Sequence, residues 1–412
     1  MKRFYALCAV LALASACMPD GPVPGHRGQQ SLPPSPPLMK ESGSRDAIGM
    51  IPADATPIKV GILLPLSGDS AVLGNAMLDA ATLALYDEYM SVPGSQIKSQ
   101  IVLVPKDSGE SANSAVAAAQ AAINDGATFI VGPLFAQAVT AMKPLVKARG
   151  IPVISFSNNR VVAEKNIYTF GFFPEQQVQR IVEYGYLHDL HRVALLAPND
   201  AYGQKVRDEM SFLYSQRGGA VAPAELYSPN ETNIDAAVAR MMAAYLNNSE
   251  DKKFQAIFIA DAGHNMKAIV KAMKRHQVDF AKTRLLGAGM WDDPELTKIP
   301  ELSGAIFPGP PPAQSERFDQ RFTTMYGYKA PRLASLSYDI ISLLARISMS
   351  SAAARIDAKA LPTKEGYTAP AGGLYRLLPD GTNERKLAII EVTPSGFKII
   401  DPAPKVFSEP GQ

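Results

Sequence analysis

The stretch Ile58-Lys59-Val60-Gly61-Ile62-Leu63-Leu64-Pro65-Leu66-Ser67-Gly68-Asp69-Ser70-Ala71-Val72-Leu73-Gly74 decides the fold. Its aliphatic run, ended by a proline and a Ser-Gly turn, predicts a strand buried on both faces. A helix-covered parallel sheet requires strands of that kind. A loop of small polar residues follows, and then an Ala-rich segment over 76–88 with helical spacing. In an open α/β sheet the loop at the carboxyl end of such a strand is where ligands sit, so Ser67 and Gly68 are expected to form one lip of a cleft. The plainer alternative is that they only reverse the chain.

Outward from this unit the pattern repeats. Strands over 101–105, 129–132 and 152–155 alternate with helices over 112–125 and 138–149, the signature of successive βαβ units. After a break at 168–174 it restarts: helix 175–187, strand 193–197, helix 202–217, strand 220–227, helix 234–246, strand 256–260, helix 266–276 and strand 285–287. Two consecutive sets imply two similar α/β lobes with parallel sheets. The remainder reads as strand 304–307, helices 315–326 and 333–349, and a hairpin of 373–378 with 386–392 around Pro379-Asp380-Gly381-Thr382. These pieces are too small for a third domain. Absorbed into the lobes, they make the chain cross between them several times, which builds a hinge. The expected division is lobe 1 over about 58–170 plus 290–350 and lobe 2 over about 174–287 plus 355–400.

The chain begins with Lys2 and Arg3, an apolar run over 4–13, and Ala14-Ser15-Ala16-Cys17. This describes a secretory signal over 1–16, too short to span a bilayer. The cut resembles a bacterial lipobox, which implies lipidation of Cys17, although Ala14 stands where Leu is usual; an ordinary signal cleaved near Ala16 is the alternative. The only other cysteine, Cys8, lies inside the signal, so the expected mature body has no disulfide and no thiol nucleophile. Without Lys2 and Arg3, 39 basic residues face 39 acidic ones, and with no basic block nucleic acid is not an expected partner. Residues 17–57, with Pro33-Pro34-Ser35-Pro36-Pro37, are expected to be a disordered Pro-rich tether before a bilobal domain over 58–407.

The order of Val60-Gly61-Ile62-Leu63-Leu64-Pro65-Leu66-Ser67-Gly68, Ile130-Val131-Gly132-Pro133, Gly150-Ile151-Pro152-Val153-Ile154-Ser155, Tyr202-Gly203 and Gly373-Leu374-Tyr375-Arg376-Leu377 resembles the periplasmic binding proteins of the branched-chain amino-acid type. That resemblance implies the type I periplasmic binding fold, two Rossmann-like lobes that close on a small ligand across a multi-strand hinge. Gly287-Ala288-Gly289-Met290-Trp291-Asp292-Asp293-Pro294, with the opening stretch and the ending from Asp380-Gly381 to Asp401-Pro402, is similar to lipoproteins that activate penicillin-binding proteins by contact. The helical repeat domain of the enterobacterial member has no counterpart here. The implied partner is a peptidoglycan synthase or, in the alternative, the permease of an ABC importer. The implied location is the periplasm, lipid-anchored, with the outer membrane favoured because Met18 is not the Asp of inner-membrane retention.

On this resemblance the candidate ligand residues are Ser67, Gly68, Phe135, Ser155, Ser157, Tyr202, Asp261 and Trp291. Ser155 falls on a family ligand position, and Tyr202 falls where an aromatic ring closes over the ligand. Each has a plainer reading: Ser155 and Ser157 as a solvated loop, Tyr202 as packing, Asp261 as a helix cap, and Trp291 as filler between lobes. Phe135 sits in a stretch, Pro133-Leu134-Phe135-Ala136, that offers none of the hydroxyls transporting members use, and with Phe156 and Trp291 it could plug the cleft. Gly289 stands where amino-acid receptors carry a carboxylate for the ligand ammonium, although Asp292 and Asp293 follow closely. An ammonium buried without a partner is costly, so the usual amino-acid ligand loses support.

Five scattered histidines show no metal-ligand spacing, and there is no Gly-x-Ser-x-Gly elbow, phosphate loop or dinucleotide fingerprint. No catalytic residue, metal or cofactor is expected, and the protein is read as a binding protein, not an enzyme.

Overall fold

A computed structural model of the chain describes Pro52, residues 54–351, Ala353 and residues 355–407. The signal segment, Cys17 and nearly all of the tether lie outside the described residues.

The opening stretch forms β1 (Thr56–Leu64), fully buried from Val60 onward, and then α1 (Ala71–Met90). Gly74 in the first turn of α1 has no room for a side chain, because a Cβ would lie 1.9 Å from the carbonyl oxygen of Pro65. The loop is therefore folded hard against the start of the helix.

Further βα units add β2 (Ser99–Asp107), α2 (Ala112–Asn124), β3 (Phe129–Val131), α3 (Ala136–Arg149), β4 (Val153–Ser155) and β5 (Ile167–Thr169). All five strands pair in parallel in the order β2-β1-β3-β4-β5. Capping fixes the helices locally: Ser111 and Ser114 form a reciprocal capping box at α2, and Gly150 ends α3 in the left-handed conformation.

The second lobe contains α4 (Pro174–Leu187), β6 (Arg192–Pro198), α5 (Ala201–Gln216), β7 (Ala220–Tyr227), α6 (Glu231–Asn247), β8 (Ala256–Ile259), α7 (Asn265–Arg275), β9 (Arg284–Gly287) and β10 (Ile306–Gly309). The chain then returns to the first lobe with α8 (Pro312–Tyr326), α9 (Ala334–Met349) and a small antiparallel sheet of β11 (Tyr367–Ala369), β12 (Gly373–Leu377) and β13 (Asn383–Arg385). It ends in the second sheet with β14 (Ala388–Thr393) and β15 (Gly396–Asp401), giving the order β15-β14-β10-β9-β8-β6-β7. This sheet is parallel from β7 to β10, whereas β14 and β15 run antiparallel. The two-lobed α/β reading holds.

The crossing points differ from those expected. Trp291, Leu296, Leu302 and Phe307 pack in the core of lobe 2, so residues 290–309 belong there and not to lobe 1. Ile356, Leu361, Ala369, Tyr375 and Leu377 pack in the core of lobe 1, not lobe 2. The hairpin partner of β12 is β13, while Leu387-Ala388-Ile389-Ile390 passes into the second sheet beside β10. Four successive buried residues suit an inner strand covered on both faces.

Three segments cross between lobes, at 170–173, 309–312 and 385–388. Side chains tie the first and the third: Asn383 Nδ2 donates to the carbonyls of Thr169 (3.0 Å) and Gly171 (3.2 Å), Arg385 Nη2 to that of Phe170 (3.0 Å), and Arg180 Nε to that of Leu387 (2.8 Å). The Arg385 guanidinium also lies 4.2 Å from the centre of the Phe170 ring.

Candidate functional site

The carboxyl ends of both sheets meet beside these crossings. Gly171 approaches the backbone of Ser157, after β4, and Gly289, after β9, donates its N–H to Gln177 Oε1 at 2.8 Å.

On the lobe 1 side Ser67 and Gly68 are exposed, with Gly68 at φ +78°. Ser67 is not free: its hydroxyl donates to Asp107, whose other carboxylate oxygen accepts the N–H groups of Leu66 (2.9 Å) and Gly109 (2.8 Å). Burial works to raise the Asp107 carboxyl, and these donors outweigh it, holding the group below the usual carboxylate range. Glu110 accepts the N–H of Ser70 at 2.7 Å. The loop is thus held from within lobe 1.

Ser155 and Ser157 are buried, and the plainer expectation of a solvated loop does not describe them. Ser157 Oγ accepts the N–H of Asn159 at 3.2 Å, a local turn, whereas Ser155 Oγ is sealed from solvent without a hydrogen-bond partner. Phe135 is half-buried at the N-terminus of α3, and Phe156 belongs to the lobe 1 core.

On the lobe 2 side Asp200 caps α5 by accepting the N–H of Gly203, which places Tyr202 in the first turn. The Tyr202 hydroxyl is sealed and unpartnered, and burial pushes its pKa up against the opposing effect of nearby Arg332. Ser155 and Tyr202 are both left with unsatisfied hydroxyls.

Asp261 and Trp291 have different duties from those first assigned. One oxygen of Asp261 accepts the Tyr227 hydroxyl at 2.7 Å and Asn265 Nδ2 at 3.0 Å, and the other accepts the N–H of Ala262 at 2.7 Å. It therefore has no oxygen waiting for a ligand. Trp291 is 0% exposed, packs over Gly287 and donates Nε1–H to the Asp261 carbonyl at 2.9 Å. Its ring fills the lobe 2 core, which leaves it no face to offer.

Sequence reasoning missed Arg332. A Cβ built on Gly289 would lie 2.8 Å from Gln177 Oε1 and 3.2 Å from Arg332 Nη2, so an amide and a guanidinium occupy the surroundings of the missing carboxylate. The guanidinium stacks on Phe172, 4.1 Å from the ring centre, and its Nε is sealed and unpartnered. Nothing near Arg332 in sequence signals this, because Gln177 and Gly289 lie far away along the chain. Arg332 also lines a cavity of about 440 Å³ between the lobes, walled by Phe172, Met290, Asp292, Phe318 and Asp319 among others. Among the described residues no group of three or more His, Cys, Asp or Glu could hold a metal ion, and no helix is long and apolar enough to cross a membrane.

Residues 57–397 match the profile of a family described as periplasmic binding protein. The uncharacterized protein RP748 of Rickettsia prowazekii is 27% identical over 232 residues, 56% of this chain. The chain spans 60% of the length of that curated relative. A putative branched-chain amino acid ABC transporter protein from Rhodospirillum rubrum superposes with a TM-score of 0.69 at 18% identity, covering 84% of this chain and 100% of the other. LivJ from Streptococcus pneumoniae, a branched-chain amino acid transporter substrate-binding protein solved with isoleucine, gives 0.62 at 18% identity over 84% and 100%. A solute-binding protein from Rhodopseudomonas palustris, solved with 3,4-dihydroxybenzoic acid, gives 0.62 at 18% identity over 84% and 96%. With the profile matching well over half its length, the chain belongs to the periplasmic binding protein family.

Proposed function

We propose that this binding protein works without catalysis, as a lipid-anchored periplasmic regulator that activates a peptidoglycan synthase by contact, its surface set by how far the two lobes close. The observation that carries this reading is the surroundings of Gly289. Where an amino-acid receptor of this type would carry a carboxylate for the ligand ammonium, this chain has Gln177 and the cation Arg332. An ammonium placed there would meet a like charge and lose the ionic partner its burial needs. The Gly-Met-Trp-Asp-Asp segment and the Cys17 anchor expected from sequence point the same way. Pull-down with the organism's class A penicillin-binding proteins tests the reading. Retention with faster glycan polymerisation is the expected result, and neither retention nor a change in rate would sink it.

A second reading is favoured by the structural likeness to solute-binding proteins of ABC transporters. In it the chain delivers a branched-chain or related small ligand to a permease, with Ser67, Gly68, Phe135, Ser155, Ser157 and Tyr202 as the lip. The unsatisfied hydroxyls of Ser155 and Tyr202 support it. A ligand present at about 100 times its dissociation constant would add about 2.7 kcal/mol to stability. Stabilisation by leucine or isoleucine, abolished by Ser155→Ala or Tyr202→Ala, would favour delivery over regulation.

A further inference from the structure

Most carboxylates inside this protein are held. Asp261 accepts three hydrogen bonds, Asp87 accepts from Arg321 and Tyr338, and Asp79 accepts from Tyr328. Asp292 and Asp319 break this pattern. Both line the 440 Å³ cavity, and neither carboxylate has a hydrogen bond or ion pair among the described residues. They come from opposite lobes, since Asp292 follows Trp291 of the lobe 2 core and Asp319 follows Phe318 of the lobe 1 core. The third charged group deep in the cavity is Arg332, and its guanidinium makes no hydrogen bond to the described protein.

All three are half-buried, and although Asp292 and Arg332 attract each other across the cavity, none of the three side chains has a hydrogen bond to compensate for the water it has lost. The balance of the walls specifies the missing group. The cavity is lined by Asp292, Asp293, Glu316 and Asp319 against Lys329 and Arg332, four acids to two bases, and Lys329 is already 3.7 Å from Asp293. A divalent metal ion does not fit, because hard cations take about six or more oxygens and here two free carboxylates share the space with Phe172, Phe318 and Met290. The volume lies within the range of small-molecule sites, about 300–1,000 Å³.

We propose that this hinge-side cavity is a ligand site for a diamino carboxylate, either a free diamino acid or the end of a short peptide. The carboxylate lies on Arg332, one ammonium on Asp292 and the other on Asp319, and the aliphatic stem rests on Phe172 and Phe318. Because the two aspartates belong to different lobes, the bound ligand ties the lobes together. The site shares no residue with the Ser67, Ser155 and Tyr202 lip, and it stands whether the chain serves a synthase or a permease.

Calorimetry and thermal melting of the full-length chain test this with L-lysine, alanyl-lysine, cadaverine, Nε-acetyl-lysine and L-leucine. L-lysine or alanyl-lysine is expected to bind and raise the melting temperature, the better of the two telling a free diamino acid from a peptide end. Cadaverine, which lacks the carboxylate, and Nε-acetyl-lysine, which lacks one ammonium, are expected to bind at least about tenfold more weakly, a loss of about 1.4 kcal/mol or more. Asp292→Asn and Asp319→Asn should each weaken binding by a similar factor, with the ligand-free melting temperature unchanged or higher. The proposal is overturned by any of four results: no probe binding at about 1 mM, a weak affinity by ordinary standards; L-leucine binding as tightly as both diamino probes; unchanged binding by the Asn variants; or Asn variants that melt below the parent without ligand, which would give these carboxylates a structural duty instead.

Discussion

The loop after β1 and the hinge-side cavity are both polar, and they are wired in opposite ways. In the loop, Ser67, Leu66 and Ser70 spend their donors on Asp107 and Glu110 of the same lobe. In the cavity, the side chains of Asp292, Asp319 and Arg332 make no hydrogen bond to the described protein. A polar cluster satisfied within one lobe holds shape, whereas charges left unsatisfied on both sides of a closing gap are available to something that enters it. Sequence alone puts the ligand on the loop, whereas the proposed diamino carboxylate site lies in the cavity.

Four measurements would break or sharpen this contrast. Trp291→Ala should have the largest effect, about 3–5 kcal/mol of lost stability in chemical denaturation, because it empties a fully buried site and orphans the Asp261 carbonyl. A loss below about 1 kcal/mol would return Trp291 to the ligand site. Asp107→Ala should cost about 1–3 kcal/mol and speed amide exchange at Leu66 and Gly109, since it strips their shared acceptor. Unchanged exchange would mean that the loop is not held by this carboxylate.

The third measurement concerns pH. Burial first, and the neighbouring Asp292 second, raise the Asp319 pKa from 3.8 to about 6. The folded chain then holds this proton more tightly than the unfolded chain does, so the contribution is complete below pH 3.8 and is lost as pH rises through about 6. Asp319→Asn should flatten the stability curve across that window and leave the variant more stable than the parent at pH 7. A parallel curve would mean the carboxylate is already partnered. Last, Ser67→Ala should cost only about 0.5–1.5 kcal/mol, since it removes one hydrogen bond from an exposed loop. A loss of ligand binding without that small loss of stability would move the site back to the lip.

Much of the fold was legible because the signals were local. The run from Val60 to Leu64 and the Ala-rich helices read correctly as a helix-covered parallel sheet, and the restart after residue 170 marked the second lobe. The crossings were harder to read. Leu387 to Ile390 reads as a hairpin arm because a turn lies nearby, although four consecutive buried residues are the mark of an inner strand. The site was the least legible part. Asp292 was visible as an acid beside Trp291, but Asp319, Arg332 and Gln177 sit on three separate elements, and only the folded chain brings them to one place. Trp291 misled for the opposite reason: a lone tryptophan beside two acids looks like a ligand platform, and here the aromatic body fills a core while only its N–H does polar work.

The threefold crossing also governs how the protein can be made. The lobe 1 core includes residues from Ile58 to Leu377, and the lobe 2 core includes residues up to Val392. Neither lobe is one continuous length of polypeptide, so no single cut releases either of them intact. During synthesis, neither core can be completed until almost the whole chain has emerged. A frameshift or stop codon anywhere before residue 377 therefore leaves not one good lobe and one bad one but two unfinished cores, and the truncated product is a substrate for proteolysis rather than a smaller working protein.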